Sequence, residues 1–282
     1  RMSNFYMTSD GSSWKEIASL PDSVLKRDDA VAFAANGKGY FGLGAGVINE
    51  GTSVEDVVEL NDFYEYTPET NTWVQIDSFP GLARKEAVAF GIGDKGYVGG
   101  GYTISGYNTS TFYEYDAVTG VWAVKAPLTT SNHISNAASF VINGEGYVVG
   151  GSDENSNLNS QLIKYNPTTD KWTELNRVIN YTSESFDNDY SIQRYKAATF
   201  VINEKAYLVG GTTKTSVSDQ VWEYDPSLDE WEELQGYEGN MRYGAVGFSI
   251  GNYGYVGTGT NGTYYFNDFW KFDPTADYDK LW

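Results

Sequence analysis

Cysteine is absent from the 282-residue chain, and histidine occurs once, at His133. Without cysteine the chain can form no disulfide, no thiolate-ligated zinc or iron–sulfur site and no thiol nucleophile. A single imidazole also excludes metal sites that need two histidines, including the zinc site of H-E-x-x-H hydrolases. From these absences we predict neither a metal site nor a bound cofactor.

Positive charge and long apolar runs are also scarce. The 19 basic side chains are outnumbered by 38 acidic ones, so the formal net charge is −19 and the pI is about 4.3. A general nucleic-acid binder needs a cationic surface, and a membrane span needs about 20 consecutive apolar residues. The sequence therefore predicts neither. Its 40% hydrophobic content, with 23 Tyr and 8 Trp, is enough to fill the core of a folded domain.

Aromatic residues recur along the chain at an interval of about 50 residues. Six tryptophans are separated by 59, 49, 50, 59 and 51 residues: Trp14, Trp73, Trp122, Trp172, Trp231 and Trp282. In phase with them, a phenylalanine is followed seven residues later by a tyrosine: Phe33/Tyr40, Phe90/Tyr97, Phe140/Tyr147, Phe200/Tyr207 and Phe248/Tyr255. Ladders that share one phase indicate an internal repeat, so we interpret residues 1–282 as a single repetitive domain.

Each repeat carries the pattern of four short strands. A run of small apolar residues, as at 87–90 and 197–200, suits a crowded inner strand, and a Gly/Asn turn leads from it into a second apolar run. A third run alternates, as at 63–66 and 221–224, and a polar turn then precedes the tryptophan that opens the fourth. Four antiparallel strands at this period are typical of one β-propeller blade.

The repeat resembles the kelch repeat. Paired glycines at 99–100, 150–151 and 210–211 carry this resemblance, together with a tyrosine seven residues before the tryptophan, as in Tyr66 and Trp73. In detail the sequence looks like kelch proteins of Bacteroidetes-type bacteria, which are generally exported. The resemblance implies a periplasmic, extracellular or cell-surface location but little chemistry. As partner we expect a glycan or a protein. We expect a monomer with no nucleic-acid partner.

The repeat ladders also predict how many blades the chain contains. Five complete units begin near residues 27, 84, 133, 194 and 242, and residues 1–21 hold only a third and a fourth strand. We therefore predict an all-β fold, a six-bladed kelch-type β-propeller of four-stranded antiparallel blades whose first blade is incomplete. After the partial blade at 1–21, the blades span approximately 27–80, 84–128, 133–178, 194–238 and 242–282. Residues 1–4 lack the character of a signal peptide. Because the chain begins inside a structural unit, we interpret it as a fragment or processed form.

The connections between strands differ in how much their lengths vary. The turn between the first and second strands is constant, whereas Gly44 to Tyr66 spans 22 residues and its equivalents span 13 or 14. Between units, Trp172 to Phe200 spans 28 residues and the others 17 to 19. In a four-stranded meander both variable connections emerge at the same end, which we call the loop face; the tight turns form the opposite turn face. Binding residues concentrate on long loops, so we predict the binding surface on the loop face.

The two longest connections contain candidate binding residues. The insertion at 46–59 is acidic and partly apolar. The loop at 176–193 combines Tyr181, Phe186 and Tyr190 with Asp187 and Asp189. Such side chains could stack on a sugar or hold a cation, or the aromatic rings could instead fix a long loop to the body of the domain. The sequence leaves these alternatives open.

Four connections between units end in an arginine, three residues before an alanine: Arg27, Arg84, Arg194 and Arg242. The third unit has Ile134 at that position, with His133 beside it. Inner strands line the channel of a propeller, so we predict a broken ring of guanidinium groups at one channel mouth. It would suit a carboxylate, a sulfate or an acidic side chain. Alternatively, each arginine pairs with an acid of the next blade and ties the blades together.

Three functions stay open from the sequence. The first is a non-catalytic binding module of an exported bacterial protein. The second is an enzyme. Galactose oxidase-like copper chemistry is excluded, because Cys is absent and His occurs once. Chemistry like that of a sialic-acid mutarotase needs only acid/base and anion-binding groups, for which Glu86, Tyr195 and Tyr243 beside the ring arginines are candidates. The third is a structural spacer in a larger cell-surface protein.

Overall fold

The computed structural model of the chain describes residues 5–49, 51, 56–128, 133–179 and 192–276. Every regular element in these ranges is a β-strand. Four of the sheets have four antiparallel strands each, so the predicted all-β fold of four-stranded antiparallel sheets is confirmed. The same ranges contain no helix of the length and hydropathy needed to cross a membrane.

Within the described ranges, twenty-six strands follow one another. The first thirteen are β1 (Phe5–Met7), β2 (Lys15–Ile17), β3 (Arg27–Asp28), β4 (Val31–Ala35), β5 (Lys38–Gly42), β6 (Ala45–Ile48), β7 (Asp56–Glu59), β8 (Phe63–Thr67), β9 (Thr72–Ile76), β10 (Arg84–Lys85), β11 (Val88–Ile92), β12 (Lys95–Gly99) and β13 (Tyr102–Thr103). The others are β14 (Phe112–Asp116), β15 (Val121–Lys125), β16 (Ala138–Ile142), β17 (Glu145–Val149), β18 (Leu162–Asn166), β19 (Lys171–Glu174), β20 (Ala198–Ile202), β21 (Lys205–Val209), β22 (Val221–Asp225), β23 (Glu230–Leu234), β24 (Val246–Ile250), β25 (Tyr253–Gly257) and β26 (Phe269–Phe272).

Five large sheets correspond to the five complete units. In order along the chain they are β4-β5-β8-β9, β11-β12-β14-β15, β16-β17-β18-β19, β20-β21-β22-β23 and the three-stranded β24-β25-β26. The strand register explains the aromatic ladders, because the phenylalanine and tyrosine of each unit face each other across the first two strands. Their rings stack with centroids 4.8–5.4 Å apart.

The inner strands β4, β11, β16, β20 and β24 line a common channel. Small side chains are needed here because neighbouring strands approach closely. A Cβ added to Gly91 would lie 1.8 Å from the Ala34 carbonyl oxygen, and one on Gly247 would lie 2.4 Å from the Thr199 carbonyl oxygen. The apolar core lies between successive sheets and not in the channel.

The tyrosine and tryptophan at the outer edge connect the third unit to the second, and the first unit to the N-terminal segment. The Tyr165 hydroxyl donates to Asp170 Oδ1 at 2.8 Å, and the same oxygen accepts the Ala126 N–H at 2.9 Å. Trp172 Nε1 donates to the Ala126 carbonyl at 3.0 Å. Equivalent contacts occur in the first unit, among Tyr66, Asn71, Ala18 and Trp73. The spacing that carries the family resemblance is therefore the spacing of contacts between units.

The hairpin of β1 and β2 connects the first unit to the fifth. Phe5 packs on Trp73 with ring centroids 4.8 Å apart, and Trp14 packs on Phe269 with centroids 4.5 Å apart. The N-terminal residues thus supply a strand pair between the first and fifth units; that this pair is part of an incomplete blade stays a prediction. The count of six blades stays a prediction.

The loop face is built from small hairpins. In each unit the connection between the second and third strands pairs with a residue just before the inner strand; we call these connections tip hairpins. They span residues 45–59, 102–108, 152–158, 212–217 and 260–265. The insertion at 46–59 forms the β6–β7 hairpin, with residues 50 and 52–55 outside the described ranges. Tyr181, Phe186, Asp187, Asp189 and Tyr190 also lie outside the described residues.

Candidate functional site

Four of the five units have an arginine just before the inner strand, and each of these arginines makes the same main-chain contacts. Nε donates to the carbonyl two residues earlier at 3.0–3.2 Å, in Leu25, Leu82, Ile192 and Asn240. Nη1 donates to the carbonyl 16 residues later at 2.9–3.1 Å, in Leu43, Gly100, Gly210 and Thr258. Each guanidinium group therefore fastens the end of the second strand to the segment before the first strand of its own unit.

The far end of each guanidinium group meets a polar side chain that differs between units. Asp62 and Asp268 accept bidentate pairs, from Arg27 at 2.5 and 2.8 Å and from Arg242 at 2.6 and 3.0 Å. Uncharged side chains accept in the other two units: Thr111 at 3.0 Å from Arg84, and Gln220 at 2.5 Å from Arg194. Burial lowers the pKa of Arg84 and of Arg194 to about 10, so both stay charged at neutral pH.

The predicted open ring of guanidinium groups at the channel mouth is wrong in its geometry. Between 1% and 9% of each arginine is exposed, because the side chain turns into its own unit and not towards the channel. The alternative, pairing with an acid of the next blade, is also wrong, because the Arg27 and Arg242 carboxylate partners belong to the same unit. We therefore assign these arginines a structural role.

Neighbouring units are also joined by main-chain hydrogen bonds at the paired glycines. The N–H of Gly151 donates to the Arg194 carbonyl of the next unit at 2.9 Å, and Gly211 contacts the Arg242 carbonyl in the same way at 2.8 Å. A Cβ on Gly150 would lie 2.5 Å from that Arg194 oxygen, and its φ is +67°. Glycine suits both the left-handed backbone and the close approach, although Leu43 and Thr258 take the first position of the pair in the first and fifth units with φ of +57° and +61°.

A ring of five residues, which we call the mouth ring, surrounds the channel two residues beyond the arginine register: Asp29, Glu86, Asn136, Lys196 and Gly244. All have φ between +50° and +64°. From Glu86 onward, each N–H donates to the carbonyl of the preceding member, at 3.0 Å from Glu86 and at 2.8–2.9 Å from the next three. The side chains differ although the backbone repeats. Sequence reasoning identified only Glu86, because glutamate and lysine rarely adopt the left-handed backbone and so give no signal at Glu86 and Lys196. Asp29 and Asn136 are residue types enriched in that conformation, which is the signal that could have found them.

Lys196 spans the channel mouth. Its Nζ lies 3.0 Å from Asp29 Oδ1 and 4.0 Å from Glu86 Oε1, so the fourth unit contacts the first two. Burial lowers the pKa of Lys196, but the charges of Asp29 and Glu86 outweigh it and hold the pKa above its ordinary value. The mouth therefore holds a protonated amine between two carboxylates. Its side chains are partly exposed, with 24% for Lys196 and 31% for Asp29.

The remaining candidates lie beside the mouth ring or on its rim. Tyr195 and Tyr243 are half-buried, and each pairs through its main chain with the base of a tip hairpin. Tyr243 is close enough to Lys196 to contribute to its pKa. His133 is exposed, and its carbonyl accepts a hydrogen bond from Asn108 Nδ2 at 3.4 Å. The structure thus gathers Glu86 and Tyr243 near Lys196, but it does not bring the arginines to this site.

Side-chain polarity divides the tip hairpins into two groups. Those of the fifth, first and second units expose apolar and aromatic side chains, which we call the apolar half: Tyr264, Tyr265, Ile48, Val57, Ile104 and Tyr107. Tyr265 is 90% exposed and Tyr264 is 67% exposed. The tips of the third and fourth units, at 153–157 and 213–216, carry only polar residues, and Lys214 Nζ joins them through Asn157 at 3.1 Å. The loop face therefore offers an apolar half, a polar half and a charged centre.

The described ranges contain no group of three or more His, Asp or Glu side chains positioned to hold a metal ion. The chemistry that the mouth offers is the recognition of charge by Asp29, Glu86 and Lys196, with a phenol from Tyr243 nearby. The tip hairpins add aromatic surface that can pack on apolar groups. This combination suits binding.

Comparisons with known proteins agree with the repeat pattern. A sequence model described as the KLHDC2/KLHL20/DRC7 Kelch-repeats domain matches residues 88–280. Kelch-like protein 26 of Danio rerio is 28% identical over 172 residues, which cover 59% of this chain and 26% of that protein. N-acetylneuraminate epimerase of Haemophilus influenzae is 30% identical over 167 residues, which cover 58% of this chain and 38% of that protein. The chain thus spans between a quarter and two fifths of these relatives.

A protein of known structure, YjhT, has a similar fold. Its structure superimposes on this chain with a TM-score of 0.79 at 17% sequence identity. The match covers 98% of this chain and 90% of the other. At this identity the similarity shows a shared fold and does not carry a function from one protein to the other.

Proposed function

Because the chain belongs to the kelch-repeat family, we propose that it is a binding module that engages its partner through the loop face. One observation carries this proposal. The residues that repeat from unit to unit, such as Arg84 and Tyr97, are buried and serve the fold. The residues that differ between units, such as Lys196 and Tyr265, lie on the loop face. A surface that varies on a constant scaffold is where specificity is built.

The turn face does not vary in this way between units. Its turns between the third and fourth strands repeat one arrangement, in which a carboxylate or amide oxygen accepts the N–H two residues later. Asp116 accepts from Val118 at 2.8 Å, and Asn166 accepts from Thr168 at 3.0 Å. Such turns are explained by local hydrogen bonding alone. The contrast between the two faces favours the loop face as the binding surface.

The partner is a protein or a glycan, since exposed tyrosines serve in both kinds of recognition. Tyr264 and Tyr265 supply rigid amphipathic contact area that loses little conformational entropy on binding. Aromatic rings also stack on apolar faces of other molecules. The choice between the two classes depends on the charged centre, whose role is inferred below.

The proposal is tested by panning a random peptide display library and a glycan array with the purified protein. Two double variants separate the faces: Tyr264→Ser/Tyr265→Ser on the loop face, and Val118→Ser/Leu228→Ser as a matched change of exposed apolar residues on the turn face. The loop-face variant should weaken the selected binders about tenfold, and the turn-face variant should not. Equal loss from both variants, or loss only from the turn-face variant, would contradict the proposal.

An enzyme that acts on a sugar acid is the second candidate. It is favoured by the 30% identity to a protein named N-acetylneuraminate epimerase and by the closeness of Glu86 to Lys196, which pairs a carboxylate with a cation. Against it, the guanidinium groups that would hold an acidic substrate are internal. Exchange NMR of N-acetylneuraminate anomers tests it directly. Interconversion faster than in buffer, and lost in Glu86→Gln, would replace the binding proposal.

Export to the periplasm or the cell surface stays a prediction that rests on the resemblance to exported bacterial proteins. Fractionation of the native host, followed by immunoblotting, tests it, and a purely cytosolic signal would contradict it. A structural spacer is the third reading from the sequence. If the domain is a spacer, loop-face variants should change neither peptide nor glycan binding. The panning experiment therefore also tests this third function.

A further inference from the structure

Two carboxylates of the mouth ring share one cation. Asp29 and Glu86 come from the first and second units, and Lys196 reaches them from the fourth. Neighbouring charges are already matched: Arg27 pairs with Asp62, and Lys85 Nζ lies 3.9 Å from Glu59. Two carboxylates with one amine leave the cluster with an excess negative charge.

We infer that this cluster is a subsite for a basic side chain of a protein partner, a subsite that Lys196 occupies until the partner displaces it. The inference rests on the proposed function and adds the chemical class of the ligand. Lys196 shows that a cation is accommodated between the two carboxylates. The backbone of the ring is held by hydrogen bonds between consecutive members, so the backbone positions of Asp29 and Glu86 do not depend on the amine.

Displacement of Lys196 is feasible because its ion pair is partly exposed. Ion pairs in contact with water contribute little to stability, and a lysine side chain has many accessible rotamers. An incoming guanidinium group presents a planar fork of donors, which can serve two carboxylates together better than a single amine. The formal charge of −19 also attracts a basic partner at long range.

The apolar half lies on the same side of the mouth as the carboxylates. Asp29 and Glu86 belong to the first and second units, which also carry Val57 and Ile104 on their tips. The N-terminal hairpin packs between the first and fifth units, so the tip with Tyr265 completes this side. A matching partner segment has aromatic or aliphatic side chains next to an arginine or lysine. A sugar acid or an acidic peptide would instead meet two carboxylates.

The test uses peptides selected from the random display library on the wild-type protein. The selected sequences should be enriched in arginine or lysine beside aromatic or aliphatic residues. Their affinity should fall about tenfold in Asp29→Asn/Glu86→Gln and rise several-fold in Lys196→Gly. Glycine is a suitable replacement, because Gly244 occupies the same backbone conformation in the fifth unit. Thermal unfolding of each variant establishes that it is folded.

The outcomes separate this inference from the proposed function. Peptides that bind the wild type, lose affinity in Tyr264→Ser/Tyr265→Ser and ignore Asp29→Asn/Glu86→Gln would overturn the basic subsite and leave the loop face standing. Enrichment in acidic peptides, or binding only on the glycan array, would overturn it as well. A library without enrichment, or binders insensitive to every loop-face variant, would overturn both proposals.

Discussion

Lys196 Nζ lies 3.0 Å from Asp29 Oδ1, although the two residues are 167 positions apart in the sequence. The contact crosses the channel mouth and joins the fourth unit to the first. It exists only because the row of units closes into a ring, which brings distant inner strands to one opening. The charged centre of the loop face is therefore a product of the whole fold and not of one repeat.

The buried guanidinium group of Arg242, which pairs with the partly exposed Asp268, should contribute strongly to stability. Arg242→Ala takes the Nη1 donor from the Thr258 carbonyl and the bidentate contact from Asp268, which keeps its 3.0 Å contact with Trp270 Nε1. We expect a cost of about 2 kcal/mol in the free energy of unfolding. Arg177→Ala is the control, because Arg177 is 53% exposed and pairs with Glu174 at 3.3 Å on the surface. Its cost should be about 0.5 kcal/mol or less. Urea denaturation measures both, and equal costs would contradict the structural role of the arginines.

Acid should weaken these arginine contacts. The hydrogen bond from Arg242 lowers the pKa of Asp268; burial alone would raise the pKa of Asp62, but its contacts with Arg27 outweigh burial and lower it. A carboxyl whose pKa is depressed by folding stabilises the protein above its unfolded pKa of about 4, and the effect is lost as pH falls through the folded value. Urea midpoints should thus fall below about pH 4, with a shallower fall in Asp268→Asn. An identical pH profile for the variant would contradict this origin.

Alkali should destabilise the protein through its buried tyrosines. Burial, with a hydrogen bond to Glu65, Glu114 or Glu223, raises the pKa of Tyr40, Tyr97 and Tyr207 above the ordinary value. A raised folded pKa stabilises fully below the unfolded value of about 10 and is lost as pH rises further. Absorbance at the phenolate band should therefore rise together with loss of the circular dichroism signal. Ionisation of all tyrosines in a folded protein would contradict the burial.

Backbone conformation can be tested apart from packing at Gly244. Its φ is +64° and a Cβ added there would have no atom within 4 Å, so Gly244→Ala adds strain without a clash. We expect a loss of about 1 kcal/mol in the free energy of unfolding. Gly236→Ala is the control, because Gly236 has no left-handed φ and its nearest neighbour, Asp219 O, lies 3.5 Å from the Cβ. A cost at Gly236 equal to that at Gly244 would contradict the explanation.

The fold was predictable because its determinants recur. The seven-residue spacing of Phe33 and Tyr40 is the spacing of a cross-strand pair, and that of Tyr66 and Trp73 is the spacing of the next such pair. Every unit contains the first pair and most contain the second, so the same strand register can be inferred from several parts of the sequence. In an antiparallel meander, alternate connections emerge at opposite ends. The separation of long loops from tight turns therefore follows from strand order alone.

For the candidate site, the sequence predicts a place at the channel mouth on the loop face, but not the residues that form it. Arg84 was placed correctly beside the inner strand, but one residue decides which way a side chain points along a strand. The arginine turns into the unit, whereas Glu86 and Lys196 reach the channel from a left-handed backbone that their residue types do not announce. The pairing of Lys196 with Asp29 depends on ring closure, which no local pattern encodes.

Hydrogen–deuterium exchange with a selected peptide bound reports on both faces in one measurement and so shows which face the peptide contacts. We expect slower exchange in the tip hairpins at 102–108 and 260–265 and at the mouth ring around Lys196. We expect no change in the turns at 117–120 and 226–229 on the turn face. Slower exchange in those turns, with the tip hairpins unchanged, would contradict the assignment of binding to the loop face.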